Sequence, residues 1–370
     1  MTMVAVEPIH LHVPLDEPIP PSVARPLTDA LDVYMVRVTC DDGTLAYGEA
    51  WCRDWPALTK AVGLLAPVLV EADPLDRGVL WERMVDRLRG QRESLEGGAG
   101  ALSALDQALW DLAGRALDMP VWQLLGGRRV ARLDTYATGL YLEPPDDLAR
   151  KAEEFLARGF RSLKMKVGAG HEQDIAAVRS VKTVADIQVR VMVDANQAWP
   201  DRDEALEMGI ELDRYELYWL EEPMPPTDWS GYVALRAALD TPIAGGETLR
   251  TPGQFRAAFE AAALDVAMPD VRLCGGITGL VKIADMARWF GVQISPHNWS
   301  SPLGAIASSH AAVTLANCSI TEVEATVTPV SEELIEPALT FEDGFLVLPD
   351  GPGLGVTVSE DFIARYRLDN

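Results

Sequence analysis

The 370-residue chain predicts an α/β protein: a parallel barrel of alternating strands and helices, preceded by an α+β domain. Three observations predict it. Beyond about residue 128, short apolar runs alternate with amphipathic helical segments, giving eight strands. Each strand from the second onward closes on an ionisable residue, at intervals of 23 to 28 residues, one strand–helix unit each time. No glycine-rich dinucleotide turn occurs, which disfavours an open doubly wound sheet.

Residues 1–127 read as the α+β domain. "DVYMVRVTCDDGTLAYGEAW" is two strands around Asp-Asp-Gly, a hairpin signal. In "ALSALDQALWDLAGRALDMP", Leu102, Leu105, Leu109, Leu112, Ala113 and Ala116 recur at helical spacing and Pro120 stops the helix. "VWQLLGG" leads to a boundary at Gly127. The barrel then spans 128–328. "RLDTYATGL" is its first strand, and "DDLARKAEEFLARG" a helix ended by Gly159. Six further strand–helix pairs follow, from "RSLKMKV" to "AIASSHAAVTLA", and "SITEVEA" is the eighth strand. The tail, 329–370, is strand and turn and returns to the first domain.

Composition narrows the partners. A formal charge of −24 makes nucleic acid and anionic membranes poor ones. No segment approaches the roughly 18 consecutive apolar residues of a membrane span. The N-terminus has neither a basic start nor a clean apolar core, so no signal peptide is expected. Cys40, Cys52, Cys274 and Cys318 show no metal-type pairing, and a cytoplasmic location is expected. An acidic small molecule would need a local positive site against this background.

The strand-end residues are Lys166, Asp194, Glu221, Glu247, Asp270, His297 and Glu322. In a barrel of this type they converge on one mouth, where active sites sit. Asp194, Glu221 and Glu247 end neighbouring strands, and three acids in one pocket need a counter-charge. A hard divalent cation supplies it, and Mg²⁺ suits oxygen ligands; exposed loop acids are the competing reading. Glu222 points away by strand parity and reads as structural. Asn196 orients a ligand or contacts substrate. Asp270 can hold one ring nitrogen of His297 and raise the basicity of the other. Lys164 and Lys166 share one strand face, opposite Leu163, Met165 and Val167. Lys166 is expected as a second base, its pKa lowered by Lys164, and Lys164 as a contact for a substrate carboxylate. Glu322, if protonated, would hydrogen-bond a substrate oxygen; Glu324 is the fallback. The other histidines fall in the first domain or on helices and read as packing residues.

With these residues, and with "KMK", "DAN", "EEP", "GGET", "PDVRLCGGITG", "SPHNW" and "PDGPGLGV", the chain resembles the enolase superfamily, mandelate racemase subgroup, over nearly its whole length. The resemblance implies a (β/α)7β barrel, a modified TIM barrel lacking the last helix, and a capping domain built from both chain ends. It implies Mg²⁺ on Asp194, Glu221 and Glu247, with Lys166 and the Asp270–His297 pair as bases. The shared chemistry is abstraction of the proton α to a carboxylate, with Lys164 and Mg²⁺ stabilising the enediolate. Dehydration of a sugar acid to a 2-keto-3-deoxy acid is the leading expectation, on family frequency alone. Racemisation or epimerisation of a 2-hydroxy acid and lactone cycloisomerisation are the alternatives, and a barrel that has lost its activity is disfavoured by the full residue set. Some dehydratases of the subgroup carry His where Asn196 stands, so that subset is not expected. A homo-oligomer, dimer to octamer, is implied as well. The segments "LDEPIPPSVARPLTD" and "EAWCRDWPA" are expected to close over the mouth, with Arg25, Trp51, Arg53, Trp55 and Trp299 as candidate substrate contacts.

Overall fold

The computed structural model describes residues 1–89, 95–226 and 229–368. The first domain is an antiparallel sheet, β1 (Met3–Ile19), β2 (Thr28–Cys40) and β3 (Leu45–Ala50), in that order. Its helices are α1 (Trp55–Leu69), α2 (Arg77–Arg89), α3 (Leu95–Ala116) and the single turn α4 (Val121–Leu124). The hairpin turns at Gly43, whose φ of 85° suits glycine. β1 carries no strand in the sequence reading, because Pro8 and Pro14 interrupt its alternation. Helix α3 is buried nearly all round because it is covered by the sheet on one side and the barrel on the other. A Cβ on Gly48 of β3 would lie 1.9 Å from the Ala104 carbonyl oxygen, so only glycine permits this approach.

The second domain is a closed parallel barrel. Its units are β4 (Leu133–Leu140) and α5 (Pro145–Ala157), β5 (Ser162–Lys166) and α6 (His171–Val184), β6 (Arg190–Asp194) and α7 (Arg202–Asp213), and β7 (Leu220–Glu221) and α8 (Trp229–Ala238). Then come β8 (Ile243–Gly245) and α9 (Pro252–Glu260), β9 (Val266–Ala267) and α10 (Gly276–Trp289), β10 (Gln293–Ile294) and α11 (Pro302–Ala312), and β11 (Thr321–Glu324). The strands neighbour one another in sequence order from β4 to β10. β11 pairs with β4, and the Ile294–Cys318 bridge closes the ring. The helix directly after β11 is the five-residue α12 (Pro329–Glu333), so the eighth strand lacks a full-length partner helix.

Leu163, Met165 and Val167 face the outer helices in the main core. Inside, Tyr136, Met192, Trp219, Ala244 and Met268 form a separate apolar layer. That layer is the floor of the mouth, so charges above it sit in a low-dielectric setting.

The tail divides. β12 (Ile335–Glu336) comes first, then the hairpin β13 (Thr340–Glu342) and β14 (Phe345–Val347), which adds to β4 at Leu133 and Asp134. β15 (Thr357–Val358) and α13 (Glu360–Tyr366) follow. Leu368 N then donates to His10 O on β1 at 3.0 Å, so the last residues reach the first domain while the hairpin stays on the barrel.

Buried acids of the first domain lock it to the barrel. Asp106 of α3 accepts from Thr278 N at 2.8 Å and Thr278 Oγ1 at 2.7 Å, in the first turn of α10. Glu49 of β3 accepts from Ser301 Oγ at 2.5 Å and Gly304 N at 3.0 Å, at the start of α11. Each acid meets the positive end of a barrel helix, where free N–H groups point outward.

Candidate active site at the barrel mouth

Strand register assembles the site. Lys166 pairs with Asp194, and Asp194 with Glu221, so the three stand at one level on adjacent strands. Glu247 joins from beyond β8: the chain turns at Gly246, φ 110°. One ligand oxygen from each of Asp194, Glu221 and Glu247 lies within 4.8 Å of the others.

The expected strand ends need one correction. β8, β9 and β10 close at Gly245, Ala267 and Ile294, so Glu247, Asp270 and His297 stand on the loops just beyond. Ladder pairing is lost there, and an isolated Asp270–His297 bridge remains. Glu322 is an interior residue of β11, not its end.

Two candidate bases flank the acids. Lys166 Nζ lies 2.5 Å from Asp194 Oδ2. On the other side His297 Nε2 lies 3.2 Å from Glu247 Oε2, and its Nδ1 lies 2.8 Å from Asp270 Oδ2. Burial lowers the His297 pKa, but Glu247, Glu322 and Asp270 outweigh it and push it up to about 9. Burial raises the Asp270 carboxyl, but Arg272 and His297 hold it well below the usual range. Asp270 therefore stays ionised and fixes the ring.

The electrostatics correct one expectation about the lysines. Burial and Lys164 do lower the Lys166 pKa, yet Asp194, Glu247 and Glu221 raise it above the ordinary value overall. Lys164 is fully buried, 2.9 Å from Glu221 Oε1, 2.8 Å from Glu322 Oε1 and 3.6 Å from Asp194 Oδ2. Its side chain lies buried among these three acids, and its charge holds them together. Glu322 is corrected too. Burial raises its pKa, but Lys164, His297 and the Asn298 N–H lower it overall, so it is ionised, not a proton donor.

Loop residues support the triad. Asn196 donates from its backbone to Asp194 Oδ1 at 2.8 Å and from Nδ2 to Oδ2 at 3.3 Å, so it orients Asp194. Asn196 and Gln197 have φ of 44° and 63°, sparsely populated values for residues with side chains and a mark of over-determined loops. Glu222, read as structural, ties two ligand loops: it accepts from Gln197 Nε2 after Asp194 and from Gly246 N before Glu247. Burial and Glu247 push its carboxyl up to about 8.

The fit to a divalent cation rests on the donor set. All three donors are carboxylates, and buried Glu247 Oε2 accepts no well-aligned hydrogen bond. Burial and Asp194 hold Glu221 well above the usual range, so the cluster lacks positive charge despite two lysines. These features suit Mg²⁺, which takes oxygen ligands and needs open positions.

Two cavities adjoin the mouth. One of about 460 Å³ is lined by Lys166, Tyr141, Glu143 and Gln173. The other, about 720 Å³, lies against the first domain and is lined by Arg25, Trp51, Arg53, Trp299, Glu324 and Arg272. Tyr141 and Trp299 separate them: Trp299 Nε1 donates to the Tyr141 hydroxyl at 2.9 Å, and that hydroxyl donates to Glu324 Oε2 at 2.7 Å. The Arg25 guanidinium covers both rings, 5.2 Å from the Tyr141 centroid and 5.0 Å from that of Trp299. Trp55, expected at the mouth, instead packs on Tyr34 and His10 and lines neither cavity. His310 is a satisfied core residue, its Nε2 3.0 Å from the Leu354 carbonyl.

Sequence reasoning missed Glu49, Tyr141 and Arg272. The signals were faint: an arginine two after Asp270, an acid inside the apolar strand "LAYGEA", and a tyrosine just past the first barrel strand.

Comparison with known proteins agrees with this architecture. Residues 6–126 match the mandelate racemase / muconate lactonizing enzyme N-terminal domain, and residues 147–362 the enolase C-terminal domain-like family. The chain is 32% identical over 351 residues to D-galactarolactone cycloisomerase of Agrobacterium fabrum, covering 90% of this chain and 91% of that protein. It is 31% identical over 346 residues to arabinonate dehydratase of Saccharolobus solfataricus, covering 91% of each. A racemase from Streptomyces coelicolor A3(2), solved with bound magnesium, superposes with a TM-score of 0.90 at 28% identity, covering 99% of this chain and 100% of that one. The chain belongs to the mandelate racemase/muconate lactonizing enzyme family of the enolase superfamily.

Proposed function

We propose that this protein is an Mg²⁺-dependent enzyme that removes the proton α to the carboxylate of a sugar acid, and that it dehydrates an aldonate or aldarate to a 2-keto-3-deoxy acid. The observation that carries the reading is the flanking of one acid triad by two candidate bases, Lys166 against Asp194 and His297 against Glu247. Asp194, Glu221 and Glu247 would hold the metal, which when bound supplies positive charge beside the substrate carboxylate. One base takes the α proton. The other, protonated, delivers a proton to the departing hydroxyl. We assign Lys166 to the first part and His297 to the second; neighbouring acids raise both pKa values, so α-proton exchange in K166A and H297N decides the assignment. Relatives at similar identity include arabinonate, D-xylonate and D-gluconate dehydratases, which supports a sugar acid as substrate.

Lactone cycloisomerisation is the second reading. It is favoured by relatives that are cycloisomerases, and it uses the same α-proton removal, followed by expulsion of the ring oxygen from the β carbon, which opens the ring and leaves an enol that becomes the 2-keto acid. The proposed partner is a small carboxylate, the proposed location the cytoplasm and the proposed assembly a homo-oligomer. The four cysteines are free and buried, as a reducing setting requires, and among the described residues no single helix is long and apolar enough to cross a membrane.

The test is a screen of aldonates, aldarates and their lactones with Mg²⁺-loaded protein, detecting 2-keto acids with semicarbazide. The expected result is a keto product from at least one open-chain acid. A keto product from a lactone and from no open-chain acid selects the second reading, and no turnover of any member defeats both.

A further inference from the structure

The residues that orient His297 do not stop at Asp270. The Arg272 side chain donates from Nε to Asp270 Oδ1 at 3.0 Å and from Nη2 to Oδ2 at 2.6 Å, a two-point fork, and its backbone N–H donates to Oδ1 at 2.8 Å. Asp270 Oδ2 is therefore shared between Arg272 and His297 Nδ1. The remaining Arg272 nitrogen, Nη1, lies 3.3 Å from Glu49 Oε1. Glu49 belongs to the capping domain, on β3, and is held by Ser301 and Gly304 at the start of α11. Imidazole, carboxylate, guanidinium and carboxylate thus alternate along one buried line that begins at the mouth and ends in the other domain.

Geometry gives this line a function. A carboxylate held at one oxygen can rotate and take its imidazole partner with it. A planar guanidinium fork fixes the carboxylate plane. All four groups are buried, so deleting one leaves its neighbour's charge unpaired where charges interact strongly. The Lys166 side differs: Lys166 pairs with Asp194, a barrel residue, and among the described residues no capping-domain side chain hydrogen-bonds Lys166, Asp194 or Glu221.

We propose that Arg272 and Glu49 are positioning residues for His297: Glu49 of the capping domain sets Arg272, Arg272 sets the plane of Asp270, and docking of the cap thereby completes the His297 half of the site and not the Lys166 half. The inference rests on the reading of His297 as a proton-transfer group.

The test has a spectroscopic arm that needs no substrate. In ¹⁵N-labelled, Mg²⁺-loaded protein, the ring nitrogens of five histidines are resolved, and H297N assigns those of His297. The wild type is expected to show one His297 ring state with a slowly exchanging Nδ1 proton. R272M is expected to speed that exchange at least about tenfold, in line with the 10–100-fold effects of lost outer partners. R272K, which keeps charge without the fork, falls between, and E49Q moves the signal the same way by less. With a turned-over acid in hand, R272M should lower kcat about 10- to 100-fold at little-changed KM, while solvent-deuterium exchange at the α carbon through Lys166 persists. Unchanged His297 signals in R272M overturn the proposal; if R272M does not fold, unchanged signals in both R272K and E49Q do so. A screen that finds no substrate leaves this arm intact and tells against the proposed function alone.

Discussion

Lys166 Nζ and Asp194 Oδ2 form a direct ion pair at 2.5 Å, which ties one candidate base to one expected metal ligand. Burial raises the Asp194 carboxyl, but Lys166 and Lys164 bring it down to about 2, so it is ionised under all physiological conditions. A cation held by the triad would therefore meet a ready anion, one oxygen of which accepts from Lys166. Chelation is expected to abolish turnover and added Mg²⁺ to restore it. E221Q should remove Mg²⁺ binding in calorimetry while the fold persists. Full turnover after exhaustive chelation would contradict the metal assignment.

Removing either base should separate the two proton transfers. K166A and H297N are each expected to lower turnover about 10²- to 10⁴-fold. K166A should also lose exchange of the α proton in D₂O, while H297N keeps it if Lys166 takes that proton first. Mass spectrometry of recovered substrate reads the difference. The reverse pattern would exchange the two roles.

Glu222 connects the loops of Asp194 and Glu247 through Gln197 and Gly246. Its carboxyl is pushed up to about 8, by burial first and Glu247 second, so it is neutral at pH 7. Glutamine is neutral and similar in shape. E222Q should therefore retain Mg²⁺ affinity, whereas E222A should lose about 10- to 100-fold, the usual effect of deleting a ligand's outer support. Equal losses in both variants would show that the negative charge itself matters.

Much of this site was legible in the sequence because a barrel repeats. The intervals between Lys166, Asp194, Glu221, Glu247, Asp270, His297 and Glu322 reflect one structural unit each, and closure of the ring brings them together whatever the helices contain. What was not legible came from contacts between domains. Nothing near Glu49 in sequence indicates that it meets Arg272, more than 200 residues away. The protonation of Lys166 and Glu322 was misjudged for a related reason. Each is set by the sum of several buried neighbours, and the sequence shows the neighbours without their distances.

Asp106 makes cap docking sensitive to pH. Burial pushes its carboxyl from 3.8 up to about 7, against the opposing influence of Thr278 and Arg77. Between those values the native protein holds a proton that the unfolded chain has released. The contribution of this group to stability therefore falls as pH rises from about 4 to 7. D106N, which cannot ionise, should lack that slope. Wild type is expected to lose stability relative to D106N by at most about 4 kcal/mol over the window. Denaturant titrations at pH 4.5 and 7 measure it; parallel pH profiles would contradict the buried, raised carboxyl.

Arg25, on the segment between β1 and β2, lies over Tyr141 and Trp299, the wall between the two cavities. Cation–π contacts of this kind contribute about 0.5 to 2 kcal/mol. If this segment closes over bound substrate, as its sequence suggests, R25A should raise KM up to about tenfold with a smaller change in kcat. A fall in kcat at constant KM would place Arg25 in the chemistry instead.

Proton NMR of sugar acids incubated in D₂O with the Mg²⁺-loaded protein tests the central claim most directly. At least one acid is expected to lose its α-proton signal at a rate that depends on Mg²⁺, and the K166A/H297N double variant is expected to leave that signal untouched. Retention of the α proton in every acid with the wild type, or its equal loss with the double variant, would contradict the account.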